Sequence, residues 1–192
     1  MTFRGAAVPI MALALGLTLA GCGPSRDERR EALELAKLLR RISPEAKELL
    51  AGETLCAAEL RITLEEAGSK DLSEFRERFD ASVARLGVIR DRRRELQEKV
   101  RQGWWVTPLV HVVQASALVA FQDDLARTEA WIALAQNVRY RADLGRQRDF
   151  PEVATLKQQL EYFAGESLDA PLSRQLTALV DEYKFTEADI SP

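Results

Sequence analysis

The sequence predicts an all-α protein, an elongated antiparallel bundle of about six helices organised around one long helical hairpin. Three observations carry this. Seam residues recur at alternating steps of three and four, as in Leu72, Phe75, Phe79, Ser82, Leu86, Ile89, Arg93, Leu96 and Val100, the period at which side chains share one helix face. Helix-opening pairs such as Ser43-Pro44 and Thr107-Pro108 alternate with glycines placed to stop a helix, Gly68, Gly103, Gly145 and Gly165. No segment alternates convincingly at period two, and no repeat of fixed length is present.

Each element follows from local chemistry. Ser25 and Glu28 have capping-box spacing, and Leu35, Leu38, Leu39 and Ile42 place an apolar stripe on a first helix, 27–42. Ser43-Pro44 reads as a fresh start, with serine as cap and proline at the first helical position, where its missing N–H costs nothing. A second helix is expected from there to residue 67, with Ala46, Leu49, Leu50, Ala57, Leu60 and Leu64 on one side and Gly68 closing it. These two helices are expected to form a hairpin. Asp71 and Glu74 cap the next helix, 72–101, about 45 Å long at 1.5 Å per residue, whose seam has two polar exceptions, Ser82 and Arg93.

Thr107-Pro108 opens the longest segment, expected to run to Leu144 ahead of Gly145. Residues 103–121 contain no charged side chain unless His111 is protonated, and Leu109, Val110, Val112, Val113, Leu118, Val119 and Phe121 cover the whole circumference. A helix apolar all round is buried, so this half is expected to be central. Further on, Leu125, Ile132, Ala135, Val138 and Ala142 keep only one face apolar. A membrane span over 103–121 is disfavoured because Thr107, Pro108, His111, Gln114 and Ser116 interrupt it, and because the flanking charges run against the positive-inside tendency. Asp149 and Pro151 open a short helix with Val153, Leu156, Leu160 and Phe163. Asp169 and Pro171 open the last, with Leu172, Leu176, Leu179, Val180 and Tyr183. The domain is read as 26–185, with 186–192 as an aperiodic tail.

The first residues set the compartment. Met1-Thr2-Phe3-Arg4 is a short n-region with one positive side chain, and residues 5–21 are an uncharged run rich in Ala, Leu, Val and Met, which is signal-peptide anatomy. The run is shorter than the roughly 20 residues of a spanning helix and ends in small residues a protease can accept. Cleavage of 1–21 is expected. Leu19-Ala20-Gly21-Cys22 then resembles the lipobox of bacterial lipoproteins, with a branched residue three before the cysteine and two small residues between. The resemblance covers only the first 22 residues. It implies a cut between Gly21 and Cys22, a thioether-linked diacylglycerol on Cys22, and acylation of the new amino group by a chain such as palmitate. Gly23 resembles the pattern delivered to the outer membrane, implying a lipid-anchored protein facing the periplasm. Each buried methylene contributes about 0.8 kcal/mol, so several chains anchor permanently. Residues 22–25 form a tether, and the three between Cys22 and the first helix span at most about 10 Å.

Composition narrows the partners. Of 27 basic residues Arg4 leaves with the leader, so 26 face 30 acidic ones, a formal charge of −4, which does not suggest nucleic acid. Cys56 becomes the one free thiol, expected to be buried among Leu55, Ala57, Ala58 and Leu60. His111 is the sole histidine, and no nucleophile and acid are spaced to make a triad with it. A zinc site would need it with carboxylates or Cys56, an uncommon ligand set. No haem-attachment motif occurs and the mature chain lacks methionine, so neither metal nor cofactor is expected, and His111 is expected in the core.

Four further features remain. Glu65-Glu66 and Asp123-Asp124 are adjacent acids, but neighbours on a helix point about 100° apart, so an envelope glycan- or lipid-processing enzyme using Asp123, Asp124 or His111 stands second, and a small-molecule carrier third. Arg90, Arg92, Arg93 and Arg94 form the densest basic cluster, suited to phosphate or carboxylate, with Asp91, Glu95 and Glu98 interleaved. Trp104 and Trp105 sit at the turn between the two longest helices, where such rings can close the core, stack on sugars or rest at a membrane interface. Core closure is expected, with one ring partly exposed. The preferred function is a non-catalytic envelope lipoprotein that offers these arginines and tryptophans to a protein partner or envelope component.

Overall fold

Pro44 does not turn the chain. Residues Arg26–Glu66 form a single helix of 41 residues, α1, with Pro44 inside it, so the expected N-terminal hairpin is corrected to one continuous element. The cause is an unbroken seam. Ala32, Leu35, Leu39, Ile42, Ala46, Cys56, Leu60 and Leu64 are all buried and keep one three-and-four phase across the proline, so a continuous helix buries together what a turn would divide. Pro44 itself is exposed, and its ring displaces no core atom. An interior proline costs about 3 kcal/mol relative to alanine. Pro44→Ala is therefore expected to stabilise the fold by up to about 3 kcal/mol in urea unfolding. A loss of stability would show instead that α1 depends on the ring.

The structure is a computed structural model that describes residues 23–66, 72–143, 151–165 and 172–191. The expected leader and lipobox, the expected caps at Asp71, Asp149 and Asp169 and the expected stops at Gly68 and Gly145 lie outside those residues, as do the side chains of Val153 and Phe163. After α1 come α2 (Leu72–Arg101), α3 (Pro108–Asp143), α4 (Pro151–Gly165), α5 (Ser173–Tyr183) and α6 (Glu187–Ile190). Every regular element among the described residues is helical, and the fold is the all-α bundle expected, with the α2–α3 hairpin at its centre.

Ion pairs fix the directions. Glu45 and Glu59 of α1 meet Arg92 and Arg85 of α2, an inverse order that makes the two helices antiparallel. Asp80 and Arg94 of α2 meet Arg139 and Glu129 of α3, so α3 runs alongside α1. The fourth position of the bundle is shared. Both α4 and α5 pack against α1 and α3, α4 through Leu156 and Leu160 at one end, and α5 through Leu179 and Tyr183 at the other. The residues after α5 are not a tail: Thr186 and Asp189 cap each other to form α6, and Phe185 and Ile190 are buried in the core. Short motifs are hard to see by periodicity, because four residues cover barely one turn.

Two hydrophobic cores result. The near-end core, beside the start of α1, contains Leu35, Leu39, Leu96, Val100, Val113, Phe121 and Leu179. The far-end core contains Leu60, Phe75, Phe79, Leu86, Trp131, Ala135 and Leu156. The first half of α3 is not the buried centre expected. Val110, Val113 and Ala117 face inward, whereas His111, Val112, Ala115 and Val119 are exposed, because α2 and α5 cover two sides of α3 and leave its outer side to solvent. His111 is therefore a surface residue, not a core one.

Candidate functional site

The level between the two cores is polar. Seam positions on the three long helices place Glu53, Arg93 and Thr128 together, and all three are buried. One guanidinium nitrogen of Arg93 donates to Glu53 Oε2 at 2.6 Å and the other to Thr128 Oγ1 at 2.6 Å. The Thr128 hydroxyl lies 2.6 Å from Glu53 Oε1, closer than its 2.9 Å to the Asp124 carbonyl, so its single proton goes to the carboxylate. Arg127, at the edge of the level, donates to Glu53 Oε2 and to Asp124 Oδ1, each at 2.8 Å. Burial alone would push the Glu53 carboxyl up, but hydrogen bonding and positive charge from Arg93, then Arg127, outweigh it and hold it below the ordinary carboxylate value. The same carboxylate, with Asp124, holds the Arg127 guanidinium above its usual value against desolvation.

Such a layer has a consequence for assembly. It can fix helix register, because sliding any one helix by a turn would bury an unpaired charge. Glu53 and Thr128 carry no motif that marks them in the sequence. The available signal was their place in the seam, three residues before Cys56 and three before Trp131.

The second constellation is the turn between α2 and α3. Gln114, buried, donates to the carbonyls of Val100 and Gly103 at 2.8 and 2.9 Å, closing the end of α2. Glu31 of α1 accepts from the backbone N–H of Thr107 at 2.8 Å and of Val106 at 3.1 Å, and these bonds, that to Thr107 first, hold its carboxyl below the usual range. The turn is thus clipped to the N-terminal end of α1. Trp105 packs against the near-end core with its Nε1 buried and unbonded. Its ring passes so close to Gly103 that a Cβ there would lie 2.5 Å from Nε1, which is why a residue without a side chain ends α2. Trp104 points the other way, into solvent.

The remaining expected residues are dispersed. Arg93 is core, not surface. Arg90 pairs with Asp91, Arg92 with Glu45 and Glu95, and Arg94 with Glu129 and Asp91, so the basic cluster is a row of answered charges, not a phosphate fork. Asp123 is exposed while Asp124 turns to Arg127, and the two acids share no cleft. Cys56 is buried, as expected, and burial pushes its thiol up, away from reactivity. Among the described residues no cluster of three metal-ligating side chains occurs and no helix is long and apolar enough to cross a membrane. A groove of about 540 Å³ between α2 and α3 is open and lined by Arg94, Glu95, Glu98, Arg101 and Glu129, a mixed-charge surface unlike a carrier's apolar cavity. No protein family, curated protein or solved structure matches this chain.

Proposed function

We propose that the protein is a non-catalytic envelope lipoprotein, a helical bundle held by lipid on Cys22 at the periplasmic face of the outer membrane, where it offers its surface to a protein or envelope component. The observation that carries this is Leu19-Ala20-Gly21-Cys22 at the end of a charged-then-apolar leader. The capping box supports it: Glu28 accepts from the Ser25 N–H at 2.7 Å and Ser25 Oγ accepts from the Glu28 N–H at 3.2 Å, so the folded domain starts at once after the tether. A buried polar layer that fixes helix register suits a protein that presents a rigid surface.

The test is intact-mass measurement of the protein extracted from its native host. The expected product begins at Cys22 and carries diacylglycerol and an N-acyl chain. A chain retaining residues 1–21, or beginning at an unmodified Cys22, would remove the anchor and with it the assigned location.

A further inference from the structure

We propose that the uncharged strip running from Trp104 and Val106 along Val112, Ala115 and Val119 is a membrane-docking surface, seated in the interface of the bilayer that receives the Cys22 lipid. It rests on the tether proposed above. Exposure is the first observation: Trp104 is 88% exposed, Val106 72%, Val112 62% and Val119 59%. Four large apolar side chains this open within residues 104–119 gather apolar surface of the kind that marks an interaction site. Their spacing is the second. Pro108, Val112, Ala115 and Val119 are exposed and fall at steps of four, three and four, one stripe about 17 Å long.

Charge separates this stripe from every other face. No Asp, Glu, Lys or Arg occurs between Arg101 and Asp123, whereas the exposed face of α2 carries Asp91, Arg92, Arg94, Glu95 and Lys99. The other open apolar residues, Leu55, Ile62, Val88 and Tyr140, are set singly on helices studded with charge. A tryptophan at the end of an uncharged stripe matches the bilayer interface, where the ring keeps its N–H wet and its body in the acyl boundary.

Position selects the bilayer as occupant. The Glu31 bonds to Val106 and Thr107 put the turn five residues, about 7.5 Å along the helix, from the first residue of α1. From Cys22 to Arg26 the chain can reach at most about 14 Å. A lipid on Cys22 therefore brings the membrane to the end of the bundle where Trp104 projects, before any soluble partner arrives. A helix of 41 residues anchored at one end could stand upright or lean, and the uncharged stripe makes it lean on the outer side of α3.

The acylated protein, reconstituted into vesicles of phosphatidylethanolamine and phosphatidylglycerol whose acyl chains are brominated near the headgroup, tests this. Quenching of tryptophan emission is expected, most of it lost in Trp104→Phe and much of it in Val112→Glu. Val112 is exposed, and an unchanged far-ultraviolet circular dichroism spectrum shows that its variant folds. The same samples are weighed by mass spectrometry. If Cys22 is acylated yet Trp104 stays unquenched and open to aqueous acrylamide, the docking surface is wrong and the tether stands. A bare Cys22 sinks both together. Disulfide-linked pairs formed by Val112→Cys on the vesicles would assign the stripe to a second copy of the chain and overturn the proposal.

Discussion

Glu53→Gln is expected to destabilise the bundle by about 3–5 kcal/mol, the cost of leaving a buried charge without its partner. The substitution keeps shape and removes only the negative charge, so Arg93 is left buried without a carboxylate, while Arg127 keeps only Asp124. Arg93→Met should cost less, because Arg127 still reaches Glu53. Thr128→Val, which removes one hydrogen-bonding hydroxyl, should cost about 1 kcal/mol. Replacing the pair together, Glu53→Leu with Arg93→Met, should recover most of the loss, since an apolar pair of similar volume is often as stable as a buried ion pair. Urea unfolding with an unchanged slope measures all four. With Glu53→Leu alone added to close the cycle, near-additive effects of it, of Arg93→Met and of the double variant would show that the two side chains are not coupled.

Acid should separate Glu53 from its surroundings. Its carboxyl is lower in the folded protein than its unfolded value near 4.5, so its contribution is complete above that value and lost as pH falls through the folded one. Glu31, Asp91 and Asp189 are also lowered, so wild-type stability should decline below about pH 4.5 and Glu53→Gln should decline less steeply over the same range. Equal slopes in the two proteins would mean that the fold does not lower the Glu53 carboxyl.

Phe79→Ala is expected to cost about 3–5 kcal/mol, the range for removing a large aromatic from a packed core. Phe79 is fully buried and stacks on Phe75 with ring centroids 5.4 Å apart and planes inclined by 23°. The void left in the far-end core, which Phe79 shares with Cys56, Leu60, Leu86 and Trp131, has little freedom to collapse in a close-packed interior. Val88→Ala, two residues after Leu86 and exposed on the solvent side of α2, should change stability by no more than about 0.5 kcal/mol. With Trp104 and Trp105 replaced by phenylalanine, Trp131 emission reports the far-end core, so a red shift on adding Phe79→Ala at low urea would place the damage there.

Several features of the bundle were open to reading in one dimension. The α2 seam, from Phe75 to Val100, was visible as steps of three and four, and both of its polar members, Ser82 and Arg93, proved buried. The same rule, carried across Pro44, would have shown α1 as one helix. Serine before proline is a local signal and the seam a long-range one, and the seam prevails because burial along eleven turns outweighs one lost hydrogen bond. The candidate site divides in the same way. Trp104 and Trp105 could be placed at a turn, but which ring faces the core depends on the width left beside Gly103.

From residue order alone come the helical class, the α2–α3 hairpin, the burial of Cys56 and the expectation of a lipid on Cys22, because each depends on spacing within one segment or on a short motif. Folding decided the rest: that Glu53, Arg93 and Thr128 meet on one level, that the row of arginines is individually answered, and that one side of α3 is left bare. Those outcomes depend on which helix lies opposite which, and a partner's charge or absence across the bundle leaves no mark on the local period that a sequence displays.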